Sequence, residues 1–162
     1  MSHADFLRSA FSALLAFSVS SAILPAQAQT STPGGTLTCR PVEGFLQGQF
    51  TGTVTVSDFA TAEHPDVTAK ADFTVSTSRK VVEGPEQAPI VREITEQLSA
   101  RDANAVTQYL AAGQFYAHEA VAIEVVSENQ DGVKTFLRTI PQGPGLNSTL
   151  LHDGLPYRAR CE

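Results

Sequence analysis

Between two stretches that alternate apolar and polar residues lies PIVREITEQLSARDANAVTQYLAAG, Pro89 to Gly113. Its apolar residues recur three and four positions apart, the spacing of a helix face. At about 100° per residue, Ile90, Val91, Ile94 and Leu98 fall in one sector, and Ala105, Tyr109 and Ala112 would extend that stripe. Arg101 and Asp102 would then stand within the stripe. A desolvated pair there is costly, so the expectation is a break near residues 100 to 102, with Asp102 capping a second helix that ends before Gly113. Pro89 suits the first turn. The alternative is one long helix bent around the core, with both charges at its edge.

The flanking segments read as strands. Thr36 to Arg40 is stopped by Pro41. From Gly48 to Phe59, residues Phe50, Gly52, Val54, Val56 and Asp58 point one way and a row of hydroxyls the other. Ala60 to Val67 reads as a connection. Thr68 to Glu83 repeats the alternation with Ala69, Ala71, Phe73 and Val75, close enough in sequence to pair antiparallel with its predecessor. After Gly113, the segment 114–128 forms a hairpin with Val133 to Ile140 across Asn129-Gln130-Asp131-Gly132. A loop, PQGPGLNS, precedes Thr149 to His152, the Asp153-Gly154 turn and a last strand ending at Cys161. Together these predict an α+β domain: a mainly antiparallel sheet of about five or six strands with the central helical segment packed on one face.

The first 28 residues have a short polar start with Arg8, an apolar run and Ala26-Gln27-Ala28, the pattern of a secretory signal peptide. Serines dilute the run, and it is shorter than the roughly 20 apolar residues of a spanning helix, so an integral membrane anchor is not expected. Residues 29–35 read as a flexible leader and 36–162 as one domain. Removing Asp5 and Arg8 together leaves the net charge of −6 unchanged. That balance argues against nucleic acid as a partner. Arg158 and Arg160 with Arg79 and Lys80 read as surface residues rather than an anion site.

Cys39 and Cys161 stand near the two ends of the predicted domain, and an exported chain with two cysteines pairs them most simply. Neither has the CxxC spacing or neighbouring histidine of a metal or redox site. His64, His118 and His152 are dispersed; a zinc site would need all three to converge, and no HExxH or GxSxG pattern is present. Asn147-Ser148-Thr149 fits a glycosylation sequon, of consequence only in a host with an endoplasmic reticulum. The aromatic residues, Phe45, Phe50, Phe59, Phe73, Tyr109, Phe115, Tyr116, Phe136 and Tyr157, mostly fall on inward positions and read as core.

No catalytic, cofactor or metal-ligating set emerges. The expectation is a small exported, non-enzymatic binding or accessory protein of the cell envelope, in the bacterial periplasm or secreted, with an unknown protein partner. The alternative is a carrier of a small apolar ligand held between sheet and helices. A hydrolase ranks last; two of the three histidines meeting one acid in a cleft would raise it.

Overall fold

The computed structural model describes residues 32–43, 48–113 and 116–162. The proposed signal peptide, the first three residues of the leader, Phe45 and Phe115 lie outside them. Eight strands follow one another: β1 (Thr32–Arg40), β2 (Gln49–Phe59), β3 (Asp66–Glu83), β4 (Ile90–Leu110), β5 (Ala120–Glu128), β6 (Lys134–Thr139), β7 (Ser148–His152) and β8 (Leu155–Cys161). Each pairs antiparallel with the next, and β8 returns to β1, closing a barrel. There is no helix among the described residues, so the architecture is all-β and the α+β expectation is overturned. Strand β1 also begins at Thr32, pairing with Phe59, so Thr32 to Gly35 belong to the barrel and not to a leader.

Strands β2, β3, β5, β6, β7 and β8 lie close to where the alternation placed them, except that β3 begins at Asp66, inside the expected connection, and β5 begins at Ala120, with residues 116–119 not in a strand. Along β2 and β3 the inward set is Phe50, Val54, Val56, Val67, Ala69, Ala71, Phe73 and Val75, all buried. Ile123 and Val125 of β5, Leu137 of β6, Leu150 of β7, and Tyr157 and Ala159 of β8 complete the interior. Adjacent alanine pairs, Ala69 with Ala105 and Ala71 with Ala103, leave room for the larger Phe50, Ile123 and Leu150. Outward positions carry Thr53, Thr55, Lys70, Asp72, Asn104, Glu124 and Arg138, the reverse of the lipid-facing pattern of a membrane barrel.

The supposed helix is β4. Its alternation has period two, but a bulge conceals it: Phe73 pairs with Ala100 and Ala71 with Ala103, leaving Arg101 and Asp102 opposite Asp72 alone. The inward set therefore moves from even positions, Leu98 and Ala100, to odd ones, Ala103, Ala105, Thr107 and Tyr109. Asp102 has φ 50°, and its N–H donates to the Asp72 carboxylate at 2.8 Å. The expected break at 100–102 thus exists as a β-bulge, and neither the two-helix nor the one-helix reading holds. Local helix preference in a segment rich in Ala, Glu and Gln yields here to pairing along the whole length of β3.

Closure is concentrated in a short seam. Cys39 pairs with Cys161 and Arg40 with Arg160, while the main chains of Thr38 and Glu162 exchange N–H to carbonyl bonds of 2.8 and 3.1 Å. The Arg158 N–H donates to the Gly48 carbonyl at 2.9 Å, adding a parallel contact between β8 and β2. Next to the seam, Gly52 adopts φ 147°, where a Cβ would overlap the carbonyl of Thr74. Only glycine lets β2 lie that close to β3.

Candidate functional site: a polar mouth and a projecting ribbon

The up-and-down order places the β3–β4, β5–β6 and β7–β8 connections at one end of the barrel. Strands β3 and β4 outrun the others there. The last β2 rung is Gln49 with Ser78, yet β3 continues to Glu83, still paired with Ile90 of β4. At about 3.3 Å per residue, Arg79 to Glu83 carry the two strands roughly 16 Å past that rung. On the other side, β5 pairs with β4 only from Leu110 to Asn104. Ile90 to Ala103 therefore meets no strand except β3 among the described residues, and pairing with β5 stops beside the bulge.

Below this ribbon the interior turns polar. Thr77 of β3 and Glu96 of β4 are paired rungs, as are Thr135 of β6 and His152 of β7. His152 is the last residue before the Asp153-Gly154 turn, whose two positive φ angles are those of a tight hairpin. Its Nδ1 lies 2.8 Å from the Thr135 hydroxyl, and its Nε2 lies 3.3 Å from Oε1 of Glu96. Strands β4 and β7 are not neighbours, so this second contact reaches across the mouth and latches the ribbon's base to the opposite wall. The Thr77 hydroxyl donates to the Glu96 carbonyl. A cleft of about 310 Å³ opens beside them, lined also by Arg79, Ile94, Asp131 and Tyr157.

Donor and acceptor roles follow from the chemistry of imidazole. With the ring neutral and Nε2–H donating to Glu96, Nδ1 accepts from Thr135; with the ring protonated, the threonine becomes the acceptor. Both ring nitrogens are taken in either state, and Thr135 is buried in the wall. In this arrangement the Thr135 hydroxyl is engaged with the His152 ring, and the set braces the mouth.

The other histidines do not join it. His64 sits in the β2–β3 turn, where its N–H donates to the Thr61 carbonyl, at the opposite end of the barrel. His118, exposed, lines a cleft with Glu119, Gln142 and Arg160. The convergence that would favour a hydrolase is not met, and among the described residues no three His, Cys, Asp or Glu groups are placed to hold a metal. Of the four basic residues, Arg79 and Lys80 lie on β3, with Arg79 lining the mouth, while on β8 Arg158 bonds Thr149 and Arg160 pairs with Glu162.

Cys39 and Cys161 are joined, with Cα atoms 4.0 Å apart. Beside them Asn147 is fully engaged: its Nδ2 donates to the Cys161 carbonyl at 2.9 Å and lies 3.2 Å from that of Pro141. Its Oδ1 accepts from the Cys161 N–H at 2.9 Å and the Ser148 hydroxyl at 2.8 Å. The sequon's acceptor atom is thus a structural pin. At this end of the barrel Tyr109 bonds Glu119, whose carboxylate holds the phenol's pKa above its ordinary value, with burial adding to the effect.

Glu96 and Thr135 were not singled out by the sequence. Their signal is a polar residue at an inward strand position, which needs the bulge-corrected phase of β4 before Glu96 shows it. Comparisons with protein-family models, curated proteins and solved structures found no match.

Proposed function

We propose that this is a small exported, non-enzymatic interaction module that engages a polypeptide partner through the β3–β4 ribbon. One observation carries the reading. Strand β4 offers a backbone edge from Ile90 to Ala103 with no strand on it among the described residues, in a ribbon exposing Val82, Ile90, Val91 and Ile94. Unpaired N–H and C=O groups in an extended row are a template for strand addition, and exposed aliphatic side chains add apolar area to it. Arg92, Glu93 and Glu96 within the same edge guard against indiscriminate pairing.

The Cys39–Cys161 bond is compatible with an exported protein, and the bacterial periplasm is the compartment this reading adopts. The carrier alternative presupposed a gap beneath helices. There is no helix among the described residues, and the buried Phe50, Phe73, Ile123, Leu137 and Leu150 favour a filled interior over a hollow one. The test shortens the ribbon by replacing residues 80–93 with Asn-Gly, joining the paired Arg79 and Ile94 through a tight turn. A polypeptide recovered by the full protein and lost with the shortened one is expected. Equal recovery by both, or specific turnover by the purified protein that survives shortening, would overturn the reading.

A further inference from the structure

The chemistry of the β4 edge matches the edge itself. When two copies of one strand pair antiparallel about a two-fold axis normal to the sheet, opposed residues share a face, so the sum of their numbers is even. Centred on Ile94, that rule sets Arg92 against the partner's Glu96 and Ile90 against the partner's Leu98, each twice, with Ile94 against its own copy. The other face sets Val91 against the partner's Gln97 and Glu93 against the partner's Thr95. No like charges meet. Residues 90 to 97 are all exposed, so the axis falls near the middle of the accessible run.

Neither charge is saturated by its present contact. Arg92 uses Nε on Glu83 at 3.4 Å, leaving its terminal nitrogens free for a second carboxylate. Glu96 uses Oε1 on His152, and its side chain is 52% exposed, which leaves Oε2 available. An axis at Gln97 would oppose Glu93 to the partner's Arg101, but its ladder would run into the bulge, where the Asp102 N–H is turned onto Asp72. The Ile94 register stops short of the bulge and of the first β5 rung at Asn104.

We infer that the ribbon's partner is a second copy of this chain, joined edge to edge along β4 about a two-fold axis at Ile94 to make one sheet continuous through two barrels. This rests on the ribbon being the interaction surface, and it names the occupant. The apolar contribution comes from Ile90 and Ile94 of both copies, 55% and 41% exposed in one chain.

Sedimentation equilibrium of the full protein is expected to show a concentration-dependent dimer. Arg92→Glu turns two attractive pairs into two repulsive ones and weakens it about tenfold or more. Arg92 is exposed, so the variant's circular dichroism and thermal midpoint should stay close to the parent's. Ile94→Cys places two thiols directly opposite across the axis, and mild oxidation should trap a covalent dimer; Gln97→Cys should not. A protein monomeric at its highest attainable concentration, or trapped through Gln97→Cys instead, overturns the inference. If that monomer still captures another polypeptide in a ribbon-dependent way, the self-pairing alone fails; if it captures none, the broader reading fails with it.

Discussion

The seam and the ribbon are made of the same element, an antiparallel strand pair, yet they are held by opposite means. The β1–β8 seam has two rungs, and around them gather a disulfide, the Asn147 side chain, the Thr38–Glu162 exchange and the β2 contact through Gly48. The β3–β4 pair has an unbroken ladder from Asp66 to Glu83 save one bulge, yet its outer part is held by little besides that ladder, the Ser78–Glu93 bond and an exposed Arg92–Glu83 ion pair. The seam joins residues 122 apart in sequence and needs a fastening; the ribbon joins neighbours and needs none. Constraint sits where the chain must be closed, and exposure where it has surplus length.

The contrast is broken most severely at the seam. Replacing Cys39 and Cys161 by serine, or reducing the bond, should lower stability by about 4–5 kcal/mol on the chain-entropy account, read from urea unfolding with and without reductant. Asn147→Ala removes bonds to both main-chain groups of Cys161 and should cost about 2–3 kcal/mol in the same measurement. His152→Ala cuts the latch and strips Thr135 of its partner; a loss of about 1–2 kcal/mol is expected, with faster amide exchange in residues 90–98 as the sharper sign. Val91→Ser, on the ribbon, should change the unfolding free energy by less than about 0.5 kcal/mol while weakening association.

The smallest effect lies at the far end of β4. Ionising Tyr109 places a second negative charge beside Glu119 and loses their hydrogen bond, so the folded pKa stands above the unfolded one. The stability this adds is complete below the unfolded value of 10.0 and disappears as pH rises through the raised folded value. Glu119→Gln should bring the Tyr109 titration, followed by its Cζ resonance, back toward 10.0.

Much of the barrel was legible because half-buried strands write their period plainly. In β2 and β3 each inward residue is followed by a hydroxyl or charged one. The cysteine pairing expected between the two ends of the domain is the bond at the β1–β8 seam, although it did not announce the closure of the sheet into a barrel. Strand β4 was illegible for two separate reasons. Its first part, Ile90 to Ile94, projects past the barrel, and through Gln97 every residue is exposed, so no burial period is imposed. Its second half is shifted by one residue at Arg101-Asp102, and two period-two segments out of phase imitate helical spacing over Leu98, Ala105 and Tyr109. The charged pair that argued against a continuous helix was evidence of irregularity, correctly placed and wrongly interpreted. The polar mouth was hidden with it, since Glu96 looks like an ordinary surface residue until its strand has a phase.

Asn147 bears on how the protein can be made. Its amide nitrogen finds its shortest acceptor contact on Cys161, in β8, which is synthesised after it. In a eukaryotic secretory host that nitrogen would be exposed to the glycosylating machinery before β8 arrived to claim it. A sugar attached then would occupy the place of the pin, hold β8 off and keep the two thiols apart. Such a host should secrete the chain as a mixture, with the glycan found on the misassembled fraction, whereas a bacterial periplasm without that machinery would leave the closure intact.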